Sequence, residues 1–106
     1  MDIMPQGDGH TLVIPKYPAV NIFDLPDEYA ADYITKVKLV AAAVKKGLNA
    51  DGITLFQLNG SDAGQTVFHL HFHILPGSYG SARRHANISS DPADLEAHAA
   101  KIRAAF

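Results

Sequence analysis

The chain has 106 residues, 47% of them hydrophobic, and a formal net charge of −2. That length allows one small domain with one core, and the charge balance excludes a global basic field that draws in nucleic acid, so an anionic ligand must be held by local donors. There is no cysteine, which excludes disulfides and cysteine–zinc sites. No apolar run approaches a transmembrane span and the first residues do not read as a signal peptide, so no membrane is expected and cytoplasm is the expected location.

Met1 to Gly9 is rich in Pro, Gly and Asp and reads as a loop, or a strand end followed by a turn. His10-Thr11-Leu12-Val13-Ile14-Pro15-Lys16 reads as a strand ended by Pro15. A lone histidine at a strand start is usually structural, and Lys16 reads as a solvated charge.

Helix-start signals follow: Asp24 as a cap, Pro26 in the first turn, and Asp27 and Glu28 placed to suit the helix dipole. Tyr29, Tyr33, Val37, Val40 and Val44 recur at helical spacing, Ala41 and Leu48 extend the stripe, and Lys45, Lys46 and Gly47 close it. The pattern predicts a long amphipathic helix whose apolar stripe lies on a sheet. Gly52 to Asn59 predicts a second strand. The run Gly60-Ser61-Asp62-Ala63-Gly64-Gln65-Thr66 is small and flexible, able to aim backbone N–H groups at a phosphate, and Thr66 adds a hydroxyl.

Gly64 to Pro76 is the stretch on which the rest depends. His69, His71 and His73 alternate with Leu70, Phe72 and Ile74, the period-two pattern of a strand. Residues i, i+2 and i+4 of a strand share a face, so the three imidazoles are expected in a row, with the apolar set in a core. Three histidines in register point to a site rather than to solvated sheet positions. Two chemistries compete for such a row: a His-x-His zinc chelate, which wants further ligands and supporting groups, and nucleophilic catalysis. The strand carries no acidic metal ligand and the loop before it suits a phosphate, which favours nucleophilic chemistry at phosphorus.

After Pro76, Gly77 to Ser81 reads as a flexible loop and Arg83, Arg84 and His85 as solvated surface. Asp91 to Glu96 starts a second helix running to about Phe106, with Leu95, Ile102 and Phe106 as packing residues and His98 exposed.

The segment His69 to Leu75 resembles the signature of the histidine triad (HIT) family of nucleotide-binding proteins. Ala63 to Phe68 and Gly9 to Lys16 resemble the same family, and the likeness runs from about Asp2 to Pro76 without an obvious gap. The resemblance implies an α+β fold: an antiparallel sheet with the long helix on one face and a C-terminal helix over residues 91–106, all in one HIT domain spanning 1–106. It implies a homodimer, a purine nucleotide or nucleoside phosphoramidate as ligand, and neither cofactor nor metal. By residue, it makes His71 the nucleophile toward an α-phosphorus, with a nucleotidyl-histidine intermediate that water hydrolyses. His69 orients His71 through a backbone relay, and His73, with Gly64, Gln65 and Thr66, contacts the phosphate oxygens. His10 matches a fourth family histidine beside the triad. Asp2 matches a residue that binds the ribose hydroxyls, and Ile3 one that lines the base pocket.

Two departures stand beside the likeness. Leu58 occupies the place of a phosphate-contacting asparagine, and relatives carry a further helix and hairpin before the position of Asp2. The rival expectations are a dinucleoside polyphosphate hydrolase, as in the Fhit branch of the family, and a nucleotide-binding module without catalysis. A zinc-binding strand comes last.

Overall fold

The computed structural model describes residues 9–77 and 92–106. Strands form where β-branched and aromatic residues cluster between turn residues, and here they are short: β1 (Thr11–Val13), β2 (Ile53–Phe56) and β3 (Phe72–Pro76). β3 is central and antiparallel to both neighbours, giving the order β1-β3-β2. Leu12 and Phe56 are the two partners of His73 in the ladders. The helix α1 (Asp27–Gly47) joins β1 to β2, and α2 (Pro92–Ala104) comes after β3.

Every strand is shorter than its sequence pattern. The stretch from His10 to Lys16 pairs only over Thr11–Val13, because Pro15 has no N–H for a ladder. Past Phe56 the Gln57 and Asn59 side chains bond to each other and the ladder stops. Gly64 to His71 forms a turn and bends rather than the expected strand, and regular pairing begins at Phe72.

Alternation along β3 divides the molecule. Phe72 and Ile74 face the helices, and His73 and Leu75 face the other way. Ile74 is fully buried and packs with Ala43 and Val44 of α1 and Ile102 of α2. A second cluster joins Leu70 to Ala19, Leu25, Tyr33 and Val37, with Phe72 against it. Each buried side chain of this size contributes about 1.5–3 kcal/mol, so the apolar half of the histidine stretch anchors the fold while its polar half is presented elsewhere.

The helix stripe is confirmed for Tyr33, Val37 and Val44, which are buried, whereas Tyr29 is exposed and pairs with Tyr17 at 5.3 Å between ring centroids. Tyr33 donates to the Val13 carbonyl at 2.8 Å, tying α1 to β1. Burial pushes its hydroxyl up to about 12, against a hydrogen bond with the Phe72 backbone that works the other way.

Asp24 does not cap α1. It belongs to a one-turn 3-10 helix (Ile22–Asp24) capped by Asn21 and accepts from the Val20 N–H at 3.2 Å, while Pro26 holds the α1 cap position without a side-chain bond. Asp27 and Glu28 still meet the dipole in the first turn. At the other end Gly47 is not the left-handed stop. That conformation falls to Asn49, at φ 52°, a residue that tolerates it. Gly47 instead makes room for α2, since a Cβ there would lie 2.5 Å from the Lys101 carbonyl oxygen.

On α2, Ile102 is buried and Leu95 partly so, but Phe106 is 64% exposed and His98 is partly buried rather than exposed. Asp2, Ile3, Arg83, Arg84 and His85 lie outside the described residues.

Candidate active site

Of the three alternating histidines, only His73 lies in a regular strand. His73 sits in the middle of a ring cluster. Its Nδ1 and the Nε2 of His10 are 2.8 Å apart and share one hydrogen bond. The Phe56 ring stacks on its face, 4.1 Å between centroids and 5° from parallel. The His71 ring meets it edge-on at 4.7 Å and 62°. His10, at the entrance to β1, is 1% exposed, so it reaches the site through His73 rather than through solvent.

His69 turns away from this cluster. Its Nε2–H donates to the Pro15 carbonyl at 2.9 Å, and its own carbonyl accepts from His71 Nδ1 at 2.7 Å. A carbonyl oxygen has only lone pairs to offer, so this bond requires the hydrogen of neutral His71 to be on Nδ1 and leaves a lone pair on Nε2. The backbone of one histidine thus sets the tautomer of the next, which is the arrangement a nucleophilic imidazole needs.

The loop before the histidines is more closed than its composition suggests. A 3-10 turn covers Ser61–Ala63, and the N–H groups of Ala63, Gly64 and Gln65 bond to the carbonyls of Gly60 and Ser61. These three amides are turned inward, against the expectation that they face a phosphate. Gly64 adopts φ 101°, open to glycine but costly with a side chain. Gln65 is 4% exposed; its Oε1 accepts from the Gly60 N–H at 2.8 Å, and its Nε2 donates to the carbonyls of Val20 at 2.7 Å and Val67 at 3.0 Å. The Gln65 amide therefore braces the loop rather than reaching outward. Thr66 is exposed and enters none of these bonds.

Gln57 and Asn59 flank Leu58 in the chain. Their amides bond to each other in both directions, and Asn59 Oδ1 also accepts from the Ile22 N–H at 2.9 Å. Among the described residues, no three His, Asp or Glu side chains are grouped so that they could hold a metal ion, and His69 is turned to the Pro15 carbonyl. The sequence places Phe56 in the second strand but not at the site. Only the register of β2 against β3 brings it to His73, and no local pattern encodes that register.

A buried sheet strand, a long helix and a histidine cluster at the strand's start define a small α+β domain of the histidine triad type. A family model described as the HIT domain matches residues 1–80, and the chain belongs to the HIT family. It is 41% identical over 76 residues to Protein hit of Bacillus subtilis, covering 72% of this chain and 52% of that protein. It is equally 41% identical over 76 residues to an adenosine 5′-monophosphoramidase of Saccharomyces cerevisiae, covering 72% of this chain and 46% of the relative. The chain spans about half the length of these curated relatives. Among solved structures it resembles a Hit-like protein from Bartonella henselae, with a TM-score of 0.87 and 45% identity over 100% of this chain and 77% of that one. A hypothetical histidine triad nucleotide-binding protein from Sulfolobus tokodaii gives a TM-score of 0.87 at 31% identity, over 99% and 74% of the two chains. No helix among the described residues is long and apolar enough to cross a membrane.

Proposed function

We propose that the protein is a nucleotide hydrolase that cleaves nucleoside phosphoramidates, or related nucleotide-X compounds, at the α-phosphorus. The observation that carries this reading is the 2.7 Å bond from His71 Nδ1 to the His69 carbonyl. It leaves Nε2 of His71 as the nucleophile. Attack by Nε2 on phosphorus forms the N–P bond as the P–N bond to the amine breaks, and the amine leaves with a proton taken from solvent, to which the attacking water of the second step returns one. Water then attacks the nucleotidyl-His71 phosphorus, releasing the nucleotide and restoring the imidazole. Imidazole both attacks and leaves well, so one difficult displacement becomes two easier ones.

In this scheme His73 and Thr66 donate to the phosphate oxygens, where charge spreads in the transition state. His69 acts as the positioning residue for His71. His10 supports His73, and Gly64 and Gln65 shape the loop. Asp2 and Ile3 are the proposed ribose and base contacts, with a purine as the base. The name of the yeast relative supports phosphoramidates as the substrate class, and the family supports a homodimer acting in the cytoplasm. Steady-state hydrolysis of adenosine 5′-phosphoramidate tests the reading. Wild type should turn over, and His71→Ala should lose activity by at least about a thousandfold while still binding AMP. Comparable turnover in both proteins would remove the covalent scheme.

A further inference from the structure

The ring cluster around His73 contains one member that carries no polar atom. Phe56 lies directly opposite His73 in the β2–β3 ladder, where paired side chains project from the same face at close range. The result is a parallel stack, with centroids 4.1 Å apart and planes within 5°, and the His10 ring is 6.2 Å from the same phenyl. The contacts that hold His73 include Phe56 on one face, His10 at Nδ1 and His71 at an edge.

These contacts do different work. A hydrogen bond at Nδ1 fixes one ring atom but leaves the imidazole able to swing about that bond and about its own side-chain torsions. The torsion that sets the ring plane of histidine is broad rather than sharply staggered, so the plane needs a packing partner. A flat aromatic face supplies one. It resists tilting in every direction that breaks the stack, and its π-surface also stabilises an imidazole as it takes on positive charge. An aliphatic side chain would fill much of the same space without defining a plane.

We propose that Phe56 is a positioning residue for His73, setting the plane of the imidazole so that its Nδ1 stays on His10 while the ring meets the substrate phosphate. The proposal rests on the phosphoramidate reading for its consequence in catalysis, but its geometric content stands apart from any turnover. Phe56 makes its contribution through His73 and touches no reacting atom.

The test uses the full chain in wild-type, Phe56→Leu and Phe56→Tyr forms, each first shown to be folded by its far-UV circular dichroism. Two readouts are made. The first is NMR of the histidine rings, with His73→Gln used for assignment. Stacking should shift the carbon-bound ring protons of His73 upfield, and the hydrogen shared between His10 and His73 should give a downfield signal. Phe56→Leu should lose both features and Phe56→Tyr should keep them. The second is hydrolysis of adenosine 5′-phosphoramidate. Phe56→Leu should lower kcat about tenfold with KM within about twofold, because a small misplacement of a catalytic group acts on the transition state more than on binding, and Phe56→Tyr should restore most of the rate.

His73 signals and kcat both unchanged in Phe56→Leu would overturn the proposal, as would a loss that Phe56→Tyr fails to rescue. If wild type itself shows no turnover but the downfield signal of the hydrogen shared between His10 and His73 vanishes in Phe56→Leu, the positioning role stands and the phosphoramidate reading fails.

Discussion

At the scale of single residues, the side chain of Gln65 holds the loop before the histidines in place. Gln65 satisfies three backbone groups from a nearly closed position. Gln65→Ala would leave the Gly60 N–H and the carbonyls of Val20 and Val67 without it, at a cost of about 1–3 kcal/mol, whereas Thr66→Ala, at an exposed position, should stay within about 0.5 kcal/mol. Urea unfolding of both variants checks this. A Gln65→Ala protein of unchanged stability that binds nucleotide poorly would instead make Gln65 a ligand contact.

Tyr33 gives a pH signature. Its hydroxyl ionises near 10.0 in an unfolded chain and is pushed up to about 12 by burial in the native state. A raised native value means that the unfolded chain releases its proton first. The contribution of Tyr33 to stability is therefore complete below pH 10 and lost as the pH rises from 10 to 12. Denaturation midpoints across that window should fall more steeply for wild type than for Tyr33→Phe. Parallel curves would show that the hydroxyl is not buried as described.

At the scale of elements, the contact between α1 and α2 turns on Gly47. Alanine is the better helix former by about 1 kcal/mol, so Gly47→Ala would stabilise an isolated α1. Here the added Cβ would meet the backbone of Lys101 and Ile102, at 2.5 Å from the Lys101 oxygen and 3.0 Å from the Ile102 Cα. Backbone atoms cannot rotate aside as a side chain does, so α2 must shift. Gly47→Ala is expected to lower stability and to speed hydrogen exchange in α2. A gain of about 1 kcal/mol with α2 exchange unchanged would contradict the packing. In sequence Gly47 reads as a helix stop, since the close approach of a distant helix leaves no local mark. Asp24 reads as the α1 cap because its place before Pro26 fits the rule, but a local bond from the Val20 N–H takes its carboxylate instead.

At the scale of the whole molecule, what repeats locally was legible and what depends on register was not. The α1 stripe was readable because helical periodicity acts within the segment. The alternation of Leu70, Phe72 and Ile74 correctly marked the apolar side of the histidine stretch, because Leu70 and Ile74 are fully buried and Phe72 packs against the cluster around Leu70. The same alternation misled about the histidines. It placed them in a strand, but pairing starts only at Phe72, and the bends before it send His69 to Pro15 and leave His71 resting on the His69 carbonyl. The bond from His71 to the His69 carbonyl rests on adjacent backbone and so survives the loss of the strand. The Phe56 stack and the inward turn of the Gly60–Gln65 amides come from pairing across the sheet and within a loop, which spacing does not encode.

The most direct test of the account is the fate of His71 during turnover. Wild-type protein mixed with adenosine 5′-phosphoramidate and quenched on the millisecond scale should carry an added adenylyl group on the peptide containing His71, and the adduct should disappear as AMP is released. Its absence under conditions of active hydrolysis, or its appearance on another histidine, would contradict the role assigned to His71.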